Sequence, residues 1–171
     1  MKHSWLFILI LIVIIGIILG AFSNPFVNIN NQLTKIEEDK KTIQPVSYTA
    51  AFAIFTNNTF RVFTAPMYHN QSADVFIENP NPNIIHVKKQ GTTYDDFFKT
   101  LPFELTDECL TTGTGEKFCN GEKNQLRFFL NGVETTDALS QIIKPNDKLL
   151  VTFGNLTEAQ IKSQEAKIPT P

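Results

Sequence analysis

The sequence contains few of the residues that enzymes and metal proteins use for chemistry. Its 171 residues include two cysteines, three histidines and eight glycines. None of the motifs C-x-x-C, G-x-S-x-G and H-E-x-x-H occurs, and there is no glycine-rich phosphate loop. These absences argue against common redox enzymes, hydrolases, zinc proteases and nucleotide-binding proteins. We therefore expect no cofactor and favour a protein that is not an enzyme.

Positive charge is also scarce. Arg61 and Arg127 are the only arginines, and 15 basic residues face 17 acidic ones, for a net charge of −2. A nucleic-acid-binding face requires clustered Lys and Arg to neutralise phosphates. The composition therefore excludes nucleic acid as an expected partner.

One long apolar run stands at the N-terminus, over residues 5–22. A helix of that length spans about 27 Å, close to the hydrocarbon thickness of a bilayer. Lys2 precedes the run and no Lys or Arg follows until Lys35, which places the N-terminus in the cytoplasm. Residues 1–23 are thus predicted to be a transmembrane signal anchor in the cell membrane, crossing once. A cleaved signal peptide is the alternative, since Ala21-Phe22-Ser23 resembles a cleavage site. Under either interpretation the domain that follows is exported.

The remaining chain divides by composition into three parts. Residues 24–45 are polar and predict a stalk or linker. Residues 46–155 are rich in aromatic and β-branched residues and predict a β-rich extracytoplasmic domain. Residues 156–171 predict a short helix, begun by a capping box of Thr157 and Gln160, followed by a tail.

Alternating and apolar segments predict the strands of the domain. Segments 51–54 and 60–63 flank Asn57-Asn58 and predict a β-hairpin, interpreted as an N-terminal extension. Further strands are predicted at 74–78, 84–88, 108–111, 117–119, 125–130 and 148–153. Tyr94, Phe97, Phe98 and Leu101 share one helical face and predict a helix over 93–101. The expected class is α+β, with a mixed sheet packed on one helix.

The two cysteines are predicted to form a structural disulfide. An exported cysteine pair is normally oxidised. A turn centred on Thr114 would place Cys109 and Cys119 directly opposite each other on antiparallel strands. The alternative is a catalytic dithiol, as in a thiol–disulfide oxidoreductase.

Other candidate site residues carry weaker signals. His69 and His86 are the histidines beyond the apolar run, and they suggest at most a weak metal-binding site. Asn57, Asn70 and Asn155 begin N-x-S/T sequons and are candidate glycosylation sites in an exported domain.

Several short motifs occur along the domain: Ile85-His86, Gly91-Thr92-Thr93, Phe97-Phe98, Cys109-Leu110, Phe118-Cys119, 126–132, 147–150 and Phe153-Gly154. In these motifs the chain resembles a poorly characterised family of membrane-anchored archaeal and related bacterial proteins, some of which are labelled protein-disulfide isomerases. Thr49, Ala51 and Lys88 stand where many relatives carry histidine, so a histidine metal site is expected to be lost. The C-terminal half is similar to a β-grasp domain, which implies a β-grasp-like fold but no activity.

Together these observations predict a membrane-anchored extracytoplasmic binding or interaction module for an unknown protein or small molecule. An extracytoplasmic oxidoreductase using Cys109 and Cys119, and a metal binder using His69 and His86, are the alternatives.

Overall fold

The computed structural model describes residues 45–171. The predicted anchor and all of the predicted stalk except Pro45 lie outside the described residues. Within 45–171, no helix has the length and apolar character needed to cross a bilayer.

Ten strands and two α-helices make up the described part of the chain, which confirms the α+β class. The strands are β1 (Pro45–Thr56), β2 (Thr59–Phe60), β3 (Val75–Phe76), β4 (Ile84–Lys89), β5 (Glu104–Leu105), β6 (Cys109–Thr111), β7 (Lys117–Cys119), β8 (Gln125–Leu130), β9 (Val133–Glu134) and β10 (Lys148–Gly154). The helices are α1 (Tyr94–Phe98) and α2 (Glu158–Glu165). The main sheet is mixed, in the order β3-β4-β1-β10-β8-β9, and β2 pairs with the end of β1. Only β1 and β10 pair in parallel within it.

The predicted hairpin turn is confirmed, but the hairpin is not an extension of the domain. Asn57 and Asn58 both have positive φ, 48° and 64°, as a two-residue type I′ turn requires. However, β1 lies in the middle of the main sheet, between β4 and β10. β1 takes this position because residues 50–56, which are apolar apart from Thr56, are all buried. Such a strand needs cover on both faces and partners on both edges.

Alternate residues of β1 divide the core into two layers. Phe52 and Ile54 face a large cluster that includes Phe97 and Phe98 of α1. Ala53 and Phe55 face a smaller cluster that includes Ile161 of α2 and, beyond it, Ile168. The C-terminal segment therefore packs on the second face of the sheet, and its capping box of Thr157 and Gln160 is present.

The helix α1 is shorter than the predicted 93–101. Thr93 caps it, with Asp96 completing a reciprocal capping box. Backbone bonds from Thr100 to Phe97 and from Leu101 to Phe98 then tighten the chain into a 3-10 turn before Pro102. Leu101 is still buried, so the predicted apolar face is real although the α-helix ends earlier.

A second, three-stranded antiparallel sheet has the order β5-β6-β7. Leu110 and Phe118 are buried, and the ring of Phe118 lies 5.4 Å from that of Phe153 in β10. This contact packs the small sheet against the main one. Strands β5 and β9 were not predicted because two residues give no periodic signal.

Candidate functional site

Cys109 and Cys119 form a disulfide, as predicted from their spacing. They are paired residues of β6 and β7, with Cα atoms 4.0 Å apart. Leu110 and Phe118 point into the core, so by strand alternation the disulfide lies on the opposite, outward face. Cys119 is exposed and Cys109 is half-buried. The bond therefore ties the β6–β7 hairpin together from its solvent side.

The turn of this hairpin forms one wall of an apolar cleft of about 410 Å³. We call it the aromatic cleft. Its apolar lining includes Phe60, Val62, Phe63, Met67, Tyr68 and Phe103, with Thr112, Gly113 and Thr114 on the hairpin side. These residues come from β2 and the chain that follows it, the 3-10 turn Pro66–Tyr68, the segment after α1 and the β6–β7 turn.

Ring packing fixes the floor of the aromatic cleft. Phe63 is buried, and its ring lies 5.2 Å from that of Phe52, 5.2 Å from Tyr68 and 5.9 Å from Phe103. Gly113 brings the hairpin turn close, since a Cβ there would lie 2.8 Å from the carbonyl oxygen of Pro102. The walls are thus held by packed rings on one side and a disulfide-bonded hairpin on the other.

Two large apolar side chains of the cleft face solvent. Val62 is 64% exposed and Met67 is 54% exposed. Single exposed apolar residues are ordinary, but two that line the same concave surface make it a candidate binding site.

Arg61 is the one charged residue among those that line the aromatic cleft. Its Nε donates a hydrogen bond to Oγ1 of buried Thr56 at 2.6 Å, and its guanidinium lies 4.9 Å from the centre of the Phe118 ring. Within residues 45–171, the carboxylate partner of Arg61 is Glu116, whose Oε2 lies 3.6 Å from Nη2, beyond hydrogen-bonding distance. The side chain is therefore held in place at the cleft while its outer nitrogens are only loosely paired.

A larger groove of about 720 Å³ runs between α1, β5 and Leu139. Its rim carries Asp95, Glu104 and Asp107, with Lys99 as the only cation among its lining residues. Its apolar floor residues Leu105 and Leu139 are almost fully covered. The smaller aromatic cleft is the better candidate because two of its large apolar side chains, Val62 and Met67, are more than half exposed.

The two predicted histidines have different contact partners and do not form a common site. His69 Nε2 lies 2.8 Å from the carbonyl oxygen of Phe63, which accepts the bond, so Nε2 carries the proton. His86 stacks on Phe76 with ring centres 5.1 Å apart, and its Nε2 lies 3.6 Å from Glu78 Oε1. Residues 45–171 contain no group of three or more His, Cys, Asp or Glu that could hold a metal ion.

The three sequon asparagines, Asn57, Asn70 and Asn155, are all exposed. Asn57 lies in the β1–β2 turn, and Asn70 also has positive φ, at 54°. Their modification stays a prediction.

Sequence reasoning missed one buried carboxylate, Asp147. Its side chain accepts hydrogen bonds from the backbone N–H of Lys144 and from Asn131 Nδ2, both at 2.9 Å. The hydroxyl of Tyr94 lies 3.5 Å from Asp147 Oδ2. Burial, and secondarily the charge of Asp147, raise the pKa of Tyr94 well above its ordinary value. The carboxylate ties the turn that precedes β10 to the core.

Comparison of the chain with models of known protein families, with curated proteins and with solved structures finds no match. Any function assigned to the domain therefore has to come from its own residues. Residues 45–171 form an α+β domain that contains the Cys109–Cys119 disulfide and the aromatic cleft.

Proposed function

We propose that the chain is a single-pass membrane protein whose extracytoplasmic domain binds a ligand with an apolar body in the aromatic cleft. The observation that carries the proposal is the exposure of Val62 and Met67 above a floor of packed rings. Burying such side chains against a ligand is favourable by about 25 cal/mol per Å² of apolar surface. A preformed cleft also loses little conformational entropy when the ligand enters.

The membrane location is supported by the sequence and by the disulfide. The apolar run 5–22, with Lys2 before it, has the length and flanking charge of a signal anchor. Disulfides persist in oxidising compartments and are rare in cytosol. Membranes washed with alkaline carbonate should retain the protein, with Cys109 and Cys119 oxidised. Recovery as a soluble protein with both thiols reduced would contradict this location.

The strand order supports a β-grasp-like fold for the domain. Strands β4, β1, β10 and β8 are adjacent in that order, β1 and β10 are parallel, and α1 follows β4. This is the arrangement of a mixed sheet formed by two antiparallel pairs with a crossover helix. No activity follows from it, because a fold hosts many functions.

The sheet edges favour the cleft over strand addition as the mode of binding. The main sheet ends in β3 and β9, each two residues long. Short edge strands offer few backbone groups to a partner strand.

Met67 provides a direct test of binding. The chain has two methionines, Met1 and Met67, so selective ¹³C-methyl labelling gives one reporter inside the cleft. The full chain in lipid nanodiscs is titrated with 1-octanol, a neutral apolar probe. We expect the Met67 methyl resonance to shift and to saturate. An unmoved resonance up to the solubility limit of octanol would contradict the proposal.

A matched pair of variants assigns the effect to the cleft. Val62→Asp places a charge in the cleft, whereas Val133→Asp places one at a residue of similar exposure outside it, 64% against 66%. We expect only Val62→Asp to abolish the octanol shift. Equal effects of the two variants would show that octanol binds elsewhere.

An extracytoplasmic thiol–disulfide oxidoreductase is the second candidate, favoured by the outward position of the disulfide. Cys119 is exposed, so a substrate thiolate can approach it. A catalytic pair should reduce insulin in the presence of a thiol reductant, whereas a structural disulfide has a potential below about −300 mV and resists the glutathione pool. The binding-module proposal predicts no insulin reduction by the full chain.

A further inference from the structure

The two arginines of the chain have similar surroundings but different pairing. Each guanidinium carbon lies 4.9 Å from the centre of a Phe ring, Phe118 for Arg61 and Phe129 for Arg127. Arg127 makes two hydrogen bonds of 2.6 Å to the carboxylate of Glu134. Within residues 45–171, the carboxylate partner of Arg61 is Glu116, which approaches its Nη2 atom no closer than 3.6 Å. Arg127 therefore makes a bidentate contact to a carboxylate through Nε and Nη2, whereas Arg61 uses Nε for Thr56 and makes no such contact within residues 45–171.

The side chain of Arg61 is held where a ligand can reach it. The hydrogen bond to Thr56 fixes Nε, and the Phe118 ring supports the guanidinium plane. An arginine fixed in this way loses less conformational entropy when it binds an anion, and its fork matches the two oxygens of a carboxylate. Both Arg61 and Glu116 are solvent-accessible, at 33% and 57%, so their long contact is weak and can be exchanged.

The cleft around Arg61 is otherwise uncharged. Its other lining residues are apolar, aromatic, hydroxyl-bearing or glycine. A volume of about 410 Å³ lies within the range of small-molecule sites, which are mainly apolar with a few polar groups that fix orientation. Arg61 is the group that would fix orientation here.

We propose that the ligand of the aromatic cleft is a small apolar carboxylate, with its hydrocarbon body against Phe63, Met67 and Phe103 and its carboxylate on the guanidinium of Arg61. This inference rests on the proposed binding function and names its ligand class. Medium-chain fatty acids have this chemistry. Binding is non-covalent, and the carboxylate replaces the loose approach of Glu116 to Arg61.

Three eight-carbon probes with different head groups test the proposal. The full chain in nanodiscs, labelled at its methionine methyls, is titrated with octanoate, 1-octanol and octyltrimethylammonium at neutral pH. We expect octanoate to bind about tenfold more tightly than octanol. This factor corresponds to the lower end of the range of free energies that charge-assisted hydrogen bonds contribute, as expected at a partly exposed site. The ammonium probe should bind more weakly than octanol.

Variants of the two arginines localise the preference. Arg61→Gln should bring octanoate to the affinity of octanol, and Arg61→Lys should keep part of the preference because it retains charge but not the fork. Arg127→Gln, the matched control, should leave the preference unchanged. Glu116→Gln should tighten octanoate binding severalfold without affecting octanol, since it removes the competing carboxylate. Near-UV circular dichroism verifies that each variant is folded.

The outcomes separate this inference from the proposed function. Equal affinities for octanol and octanoate would overturn the carboxylate preference while leaving the cleft as a binding site. A preference for octanoate that survives in Arg61→Gln, or that disappears in Arg127→Gln, would overturn the role of Arg61. If none of the probes shifted the methyl resonance of Met67, both proposals would be overturned.

Discussion

Removing the disulfide should destabilise the domain mainly by raising the conformational entropy of the unfolded chain. The double variant Cys109→Ser/Cys119→Ser changes two residues on the outward face of the β6–β7 hairpin, one exposed and one half-buried. Serine is close to cysteine in size, and little packing is lost at such positions. The substitution therefore isolates the effect of the covalent link.

The expected magnitude follows from the loop that the link closes. The cysteines are 10 residues apart in sequence. For a closed loop of that size, the chain-entropy relation gives about 2.7 kcal/mol at 25 °C. In a domain of this size such a loss lowers the melting temperature by about 10 °C. We expect the urea m-value to rise as well, because the unlinked unfolded chain exposes more surface.

Tyrosine circular dichroism suits the measurement. All three tyrosines, Tyr48, Tyr68 and Tyr94, lie in the described domain, whereas the only tryptophan, Trp5, lies in the apolar run. Urea titrations of the full chain in nanodiscs, followed at the near-UV tyrosine band, report on the domain. Wild-type protein reduced with dithiothreitol is the control and should match the double serine variant.

A loss below about 1 kcal/mol, with an unchanged m-value, would refute the reasoning, because the link would then not restrict the unfolded chain. A large difference in stability between reduced wild type and the double serine variant would also contradict the reasoning. It would show that the cysteine side chains contribute packing energy, which their exposed and half-buried positions do not suggest.

Three further predictions concern the core, a helix cap and alkaline pH. Phe52→Ala should cost about 3–5 kcal/mol in urea titrations, because Phe52 is fully buried among rings, whereas Val133→Ala should change stability by less than about 0.5 kcal/mol; similar losses would contradict the assigned core. Thr93→Ala should cost about 1 kcal/mol by removing the cap of α1, and an unchanged urea midpoint would argue against the capping box. The pKa of Tyr94 is raised above its ordinary 10.0 by burial and by Asp147, so above that pH the unfolded chain releases a proton that the fold retains, and stability should fall. Tyr94→Phe should reduce that fall between pH 10 and 11, and identical pH profiles would exclude this contribution.

Local signals in the sequence predicted local structure well. Asn57-Asn58 marks its turn because asparagine tolerates positive φ, and Thr157 with Gln160 marks the start of α2. The spacing of Cys109 and Cys119 predicted their pairing because a short hairpin fixes its own register. Each of these features depends on residues close together in the chain.

Features that depend on distant segments were not predicted. Segment 51–54 was interpreted as part of an extension, although its burial on both faces reflects the central position of β1. Ile168 was assigned to a tail, yet it is buried in the second core cluster. Ile168 contributes one isolated apolar residue, and its burial becomes evident only once the sheet face that it covers is known.

The candidate site itself could not be predicted from the sequence. The aromatic cleft joins residues 59–68 with Phe103 and 112–114, and no local pattern brings these segments together. The same holds for Arg61 and Arg127, which look alike in sequence. Their difference lies in the geometry of Glu116 and Glu134, one too distant for a hydrogen bond and the other paired through two.

The most direct test of ligand binding in the aromatic cleft is an intermolecular nuclear Overhauser effect between the Met67 methyl group and the hydrocarbon chain of bound octanoate. The structure predicts such an effect, because Met67 lines the cleft and is half exposed. The effect should vanish in Val62→Asp and persist in Val133→Asp. Octanoate that saturates the protein without any such contact to Met67 would contradict the assignment of this cleft as the ligand site.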